Sequence, residues 1–116
     1  MNELTKFYKL LSDETRIRIL MLLKNQKLCV CELCGIMEET QPKISKHLAK
    51  LRDLGIIKDE RSEQFIFYSL STNNKLYLKT LKNISENLSK YPVLKKDQER
   101  SKNAESFIKD CNLERS

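Results

Sequence analysis

The chain has 116 residues, a formal net charge of +6 and a sequence pI near 9.2, a length that suits one domain with a modest core. Only two glycines and two prolines interrupt it, which favours a mainly helical fold and argues against an all-β fold with many turns. The basic charge is compatible with a polyanionic partner but does not identify one.

The sequence gives no sign of a membrane segment or of secretion. No apolar run approaches the ~20 residues of a membrane helix, and the first residues, MNELTKFYKL, lack the apolar stretch of a signal peptide. We therefore expect a cytoplasmic protein with no membrane partner. A reducing cytosol disfavours structural disulfides, so the cysteines are expected to be thiols that bind a metal or undergo redox chemistry.

The spacing of apolar residues predicts three helices in the first third of the chain. The first covers residues 3–11, and the second begins at Ser12, which is expected to cap it, and ends before a polar loop at residues 24–27. A short third helix is expected from Val30 to Glu38, although Gly35 weakens it. Three of the four cysteines lie at the start of this third helix.

The segment TQPKISKHLAKLRDLG has signals for both ends of a fourth helix. Thr40 is expected to cap it, Pro42 suits its first turn, and Gly55 suits a left-handed ending. Its apolar residues share one face, and its lysines lie on roughly the opposite face. A short helix followed by a basic one predicts a helix-turn-helix. The apolar residues are Ile44, Leu48 and Leu51, and the lysines are Lys43, Lys46 and Lys50.

The rest of the chain predicts a wing, one more helix and a tail. Residues 56–70 form a strand-like hairpin with a polar tip at residues 61–64, and a helix is expected from residue 72 to residue 91, ended by Pro92. We predict a mainly α winged helix-turn-helix domain with a small β-hairpin at residues 1–91. The charged tail at residues 92–116 is expected to be disordered or marginally helical, with Cys111 a solvated thiol.

Four stretches of the sequence, DETRIRIL, LCVCELC, QPKISKHLAKLRDLGII and FYSLS, together resemble the ArsR/SmtB family of metal-responsive repressors over most of residues 5–91. LCVCELC followed closely by QPKISKHL resembles the arsenic-sensing branch. The resemblance implies a homodimeric transcriptional repressor that binds double-stranded operator DNA and leaves it when As(III) or Sb(III) binds the cysteines. It also implies that the first and last helices form the dimer interface.

Cys29, Cys31 and Cys34 are the candidate metal ligands. Thiolates favour thiophilic ions, and trivalent arsenic suits three of them, whereas zinc sites usually have four ligands. On a continuous helix Cys29 would point about 200° from Cys31, so one ion could not bind all three. The segment is therefore expected to be non-helical near its start or to unwind on binding, which would shift the DNA-reading helix. A single cysteine is more often a buried apolar residue, but three at this spacing favour ligation.

Side chains early in a recognition helix reach base edges, while basic side chains contact phosphates. His47 is expected to pack or to contact phosphate, and the wing arginine to contact the minor groove or backbone, although neighbouring glutamates oppose phosphate. The alternative is a basic face that is only solvated. The candidate DNA contacts are Gln41, Lys43, Ser45, Lys46, His47, Lys50 and Arg61.

Other functions remain open at this stage. The same fold could sense Cd(II), Pb(II) or Zn(II), but residues 1–28 contain no cysteine and His47 is the single histidine. The Cys31–Cys34 pair could support thiol redox sensing or disulfide exchange, but no βαβ pattern surrounds it. The chain could also be a protein-binding module that has lost DNA binding. No glycine-rich phosphate loop or nucleophile–histidine pair predicts an enzyme, and no organic cofactor is expected.

Overall fold

The structure is a computed structural model that describes residues 2–108. Its order of helices and strands confirms the predicted winged helix-turn-helix. No helix in this range is long and apolar enough to cross a membrane. The elements are α1 (Asn2–Leu11), α2 (Glu14–Asn25), β1 (Leu28–Cys29), α3 (Val30–Met37), α4 (Gln41–Asp53), β2 (Ile57–Ser62), β3 (Phe65–Leu70), α5 (Lys75–Glu86) and α6 (Pro92–Ser101), with 3₁₀ turns at Leu88–Lys90 and Ala104–Phe107.

The cap of α2 differs from the prediction by one residue. Asp13, rather than Ser12, is the N-cap, because its extended backbone lets the carboxylate accept a hydrogen bond from the Arg16 amide at 3.1 Å. The Ser12 hydroxyl instead donates to the Lys9 carbonyl at 2.6 Å, which satisfies a carbonyl at the end of α1.

The helix-turn-helix matches the prediction closely. α3 ends at Met37, and its C-cap, Glu38, lies in the left-handed region with a φ of 56°. α4 follows after Thr40, which is the N-cap but makes no side-chain capping hydrogen bond. The three apolar residues predicted for the inner face of α4 are at most 1% exposed, and the left-handed Gly55 follows the helix at φ +76°. The core of the domain therefore lies beneath α4, and the lysines face outward.

The wing is confirmed, but the sheet has a third strand that was not predicted. β2 and β3 pair antiparallel from Ile57 opposite Leu70 to Ser62 opposite Phe65, and Glu63 adopts a φ of 57° at the tip. β3 also pairs with the two-residue strand β1, which places Cys29 opposite Phe67. The first cysteine thus belongs to the same sheet as the wing.

The C-terminal region departs most from the prediction. The expected helix at residues 72–91 is the shorter α5 followed by a 3₁₀ turn, and Pro92 begins α6 rather than only ending its predecessor. The charged tail is helical rather than disordered at Pro92–Ser101, and α6 and the following 3₁₀ turn pack on α2 and α3 through charged side chains and through Leu94, Ala104 and Phe107. The division into residues 1–91 and 92–116 stays a prediction, and Cys111 lies outside the described residues.

Candidate metal-binding cysteines and nucleic-acid interface

The three cysteines at the start of α3 occupy two kinds of backbone. Cys29 ends β1 and is the N-cap of α3, with extended torsions of φ −92° and ψ 171°. Cys31 and Cys34 lie within the helix. The expectation that the segment is non-helical near its start is therefore confirmed at Cys29. Cys29 and Cys31 are 0% and 3% exposed, and Cys34 is half-buried.

A reciprocal capping box joins Cys29 to Glu32. The Cys29 amide donates to Glu32 Oε1 at 3.0 Å, while the Cys29 side chain faces the backbone N–H of Glu32. Glu32 is only 4% exposed, and its buried side chain holds the first turn of α3 through this hydrogen bond. The C-x-x-E spacing could have predicted this contact, since a glutamate at this position is the usual second half of a capping box.

Cys29 and Cys31 lie in a small apolar cluster with Phe65, and Phe67 packs on its edge. Both phenylalanines belong to β3, and Phe67 is also the strand partner of Cys29. The cysteine segment therefore contacts the wing through the sheet and through side-chain packing. A displacement of Cys29 would disturb the wing strand and the start of α3 together.

The sulfur atoms are not assembled into a ready-made site. Within residues 2–108 no group of three His, Cys, Asp or Glu side chains is arranged to hold a metal ion. Three thiols suit a thiophilic ion, but binding through all three sulfurs requires the segment to rearrange.

The outer face of α4 carries the predicted DNA contacts. The lysines at positions 43, 46 and 50 are exposed, but Lys43 is paired with Glu39 at 3.0 Å. Gln41 donates its side-chain amide to the Ser45 hydroxyl at 2.6 Å, so these two residues form one polar unit in the first turns of α4. Arg61 is exposed on β2 near the wing tip.

His47 does not project from this outer face. Its side chain is 14% exposed and lies 4.0 Å from Asp13, the N-cap of α2. Burial lowers the pKa of His47 below its ordinary value, and the positive charges of Arg16, Lys46 and Lys43 reinforce that effect against the attraction of Asp13. A neutral imidazole packed between α4 and α2 is the resulting arrangement near neutral pH.

The predicted sites omitted the C-terminal contacts on α3. Arg100 donates to the carbonyls of Gly35 and Ile36, and Asp97 binds Arg18, which donates to the carbonyl of Met37. No apolar periodicity indicates these contacts, because each depends on a charged side chain far away in sequence.

The model of the bacterial regulatory protein arsR family matches residues 13–59, which include all three clustered cysteines and α4. The chain belongs to the ArsR family. This membership places it among regulatory proteins and not among enzymes, as the sequence predicted.

Two relatives and one solved structure show how far the similarity extends. The arsenical resistance operon repressor of Escherichia coli K12 is 45% identical over 67 residues, covering 57% of each chain. A cadmium resistance transcriptional regulatory protein CadC homolog of Staphylococcus aureus is 38% identical, covering 59% of this chain and 57% of that relative. The transcriptional regulator HlyU from Vibrio vulnificus CMCP6 superposes with a TM-score of 0.64 and 32% identity, covering 72% of this chain and 88% of that one. The chain spans about half the length of the curated relatives it matches.

Proposed function

We propose that this chain is a metalloid-responsive transcriptional repressor. It binds double-stranded operator DNA as a homodimer through α4 and the wing, and it leaves the DNA when As(III) or Sb(III) binds Cys29, Cys31 and Cys34. The observation that carries the proposal is the position of Cys29, which is both the N-cap of α3 and the strand partner of Phe67 in the wing.

Thiophilic chemistry supports a metalloid as the inducer. Three thiolates without a nitrogen ligand favour soft ions, and trivalent arsenic takes three such ligands, whereas structural zinc usually takes four. The cysteines lie among apolar side chains, and this environment excludes water from a bound ion. The similarity to an arsenical resistance operon repressor supports the same choice.

The proposed coupling between metalloid binding and DNA release depends on the movement of Cys29. In this proposal Cys29 moves toward Cys31 and Cys34, and the movement weakens the Cys29–Glu32 capping bond or the pairing of β1 with β3. Both elements lead directly to DNA-binding parts of the fold: α3 leads into α4, and β3 belongs to the wing. A coupling free energy of about 1–3 kcal/mol is typical of allostery, and tight control of operator binding needs more.

Two groups of side chains are proposed to contact the DNA. Gln41 and Ser45, which lie in the first turns of α4, are the proposed base-edge contacts, and exposed lysines together with Arg61 are the proposed phosphate contacts. Lys43 has to exchange its Glu39 partner for phosphate. His47 contributes by packing α4 against α2.

The homodimer is supported by apolar side chains exposed on α1 and α5. Leu4 and Tyr8 on α1, with Leu76 and Leu78 on α5, are each at least 36% exposed. The two helices already pack together through Phe7 and Tyr77, whose stacked rings are 4.1 Å apart. Burial of such residues against a second copy would remove apolar surface from water, and paired recognition helices would match the half-sites of a palindromic operator.

The test is fluorescence anisotropy of a labelled palindromic fragment from the gene's own upstream region, titrated with As(III). The reductant should be a phosphine, because Cys31 must be a thiol and a dithiol reductant would itself bind As(III). We expect the native chain to release the DNA and a Cys29→Ser, Cys31→Ser double variant to bind it but ignore As(III). Release of the DNA from the double variant at the same As(III) concentration would contradict the proposal.

A proposed DNA contact can be tested separately. Lys46→Gln should weaken operator binding and lower the slope of log affinity against log salt by about one, since one phosphate contact is lost. Lys96→Gln removes one exposed positive charge from α6 rather than from α4 and is the matched control. An unchanged slope for Lys46→Gln would remove this lysine from the phosphate contacts.

The C-x-x-C spacing of Cys31 and Cys34 on α3 supports a second candidate, a regulator that responds to thiol oxidation. Its test is the same anisotropy measurement with peroxide in place of As(III), followed by re-reduction. Reversible release by peroxide with no response to As(III) would favour this reading. Parallel titrations with Cd(II), Pb(II) and Zn(II) distinguish the metalloid from a divalent inducer.

A further inference from the structure

Each of the last four backbone carbonyls of α3 accepts a hydrogen bond. The last four carbonyls of a helix have no partner within the helix. Here Cys34 O accepts from the amides of Glu38 and Glu39. The other three carbonyls accept from arginine side chains: Gly35 O from Arg100 Nη2 at 2.6 Å, Ile36 O from Arg100 Nε at 2.8 Å, and Met37 O from Arg18 Nη2 at 3.0 Å.

Residues 92–107, which we call the strap, also fix the second arginine. Asp97 of α6 accepts two hydrogen bonds from Arg18, both at 2.8 Å. The side chains of Arg18 and Asp97 are only 13% and 4% exposed. A bidentate pair of this kind defines the position of the guanidinium more closely than a single bond would. Both arginine contacts with α3 therefore depend on the strap.

An aromatic ring closes the strap over the same turn of α3. Phe107 packs on Gly35 so tightly that a methyl group at position 35 would overlap its ring. Arg100 lies over that ring, with its Cζ 5.4 Å from the ring centroid, a distance at which a cation is attracted to the aromatic face. Gly35 is the residue after Cys34, so the ring and the guanidinium both contact the turn that carries the third cysteine.

We propose that Arg100 is a positioning residue that sets the inducer threshold of the repressor. By holding the turn after Cys34, the strap favours the α3 conformation from which α4 is presented to DNA. It opposes the movement that brings Cys34 toward Cys29. This inference rests on the proposed function, and it gives the strap a regulatory role that lies outside the matched family segment, residues 13–59.

The physical reason is that the two competing conformations cannot both keep these bonds. Hydrogen bonds from a guanidinium to carbonyl oxygens are charge-assisted and sensitive to geometry. Drawing Cys34 out of its turn shifts the carbonyls of Gly35 and Ile36 and breaks the fit of Phe107 on Gly35. Operator binding and metalloid binding should therefore respond to loss of Arg100 in opposite directions.

The experiment compares Arg100→Gln with Lys96→Gln, which removes one positive charge from the same helix but only an exposed contact with Glu38. Operator affinity is measured by anisotropy without metalloid, and As(III) affinity by the absorbance of the arsenic–thiolate complex without DNA. We expect Arg100→Gln to bind operator about tenfold more weakly and As(III) about tenfold more tightly. Lys96→Gln should match the native chain in both.

Equal affinities for Arg100→Gln and Lys96→Gln, with a lower thermal stability for the former, would overturn the proposal and leave Arg100 a structural cap. If Arg100→Gln does not fold, Phe107→Ala is measured instead, and we expect smaller shifts in the same two directions. Native values for Phe107→Ala would also overturn it. The metal-free operator measurement keeps the test separate from the proposed function, which fails if the double cysteine variant still responds to As(III).

Discussion

The two ends of α3 are held in contrasting ways. At the amino end, Cys29 and Glu32 exchange one capping interaction each, and one of the acceptors is a sulfur. At the carboxyl end, two arginines and a buried aspartate hold three carbonyls. A sulfur is a weak acceptor, whereas guanidinium bonds are charge-assisted. The amino end, which carries Cys29, is thus the easier one to rearrange, whereas the contacts at the carboxyl end oppose movement of Cys34.

The largest expected loss of stability comes from removing a contact at the carboxyl end of α3. Asp97→Ala leaves Arg18 buried without its bidentate partner, and we expect a loss of about 3 kcal/mol in the free energy of unfolding. Urea denaturation measures it. Lys96→Ala, which removes only an exposed ion pair, should change stability by less than about 1 kcal/mol. Similar small losses in both variants would mean that the carboxyl end is not held as described.

A smaller loss of stability is expected from substitutions at the amino end of α3. Glu32→Ala leaves the buried Cys29 amide without its acceptor, at a cost of about 2 kcal/mol. Glu32→Gln retains an acceptor oxygen and should lose less than half as much. Urea denaturation of the two variants under phosphine reductant checks the difference. If alanine and glutamine were equivalent here, the capping box would not be what holds the first turn of α3.

The contact between Gly35 and Phe107 predicts that Gly35→Ala lowers stability in the native chain but raises it when Phe107 is removed. In the native background Gly35→Ala forces the methyl group against the ring, and we expect a net loss of about 1 kcal/mol from overpacking. In a Phe107→Ala background the ring is absent, so the same substitution should stabilise α3 by up to about 1 kcal/mol through helix propensity. A double-mutant cycle measures the coupling. If Gly35→Ala changed stability in the same direction in both backgrounds, Phe107 would not pack on Gly35 as described.

The smallest expected effect is a dependence of stability on pH that comes from His47 of α4. The folded pKa of His47 lies below its ordinary value of 6.5, so the unfolded chain binds more protons as pH falls through that value. Stability should therefore decline below about pH 6.5 until the folded pKa is passed. His47→Gln should reduce the difference in unfolding free energy between about pH 7.5 and about pH 5.5. An unchanged difference would place the acid-sensitive group elsewhere.

Much of the fold followed from local signals, and the unpredicted parts did not have them. The boundaries of α4 were set by Thr40, Pro42 and Gly55, and the wing by its alternating pattern. The strand at Leu28–Cys29 is two residues long and exists through pairing with β3, which no periodicity reveals. The strap was predicted only as disordered or marginally helical, because Asp97 and Arg100 resemble any solvated charge until their partners, 79 and 64 or more residues away, are placed beside them.

The candidate site shows the same limit. The cysteine spacing predicted that, for one ion to bind all three sulfurs, the segment is non-helical near its start or unwinds on binding, and Cys29 does have an extended backbone. The role of Cys29 in the wing sheet and the arginine caps behind Cys34 are tertiary contacts, and they carry most of the proposed coupling.

Reciprocity is the most direct test of that coupling. If As(III) lowers operator affinity by some factor, operator DNA must lower As(III) affinity by the same factor. We would measure As(III) affinity by arsenic–thiolate absorbance under phosphine reductant, with and without saturating operator fragment. We predict weaker As(III) binding on the DNA, by the factor found in the anisotropy titration. Identical As(III) affinities with and without DNA would contradict a cysteine site linked to operator release.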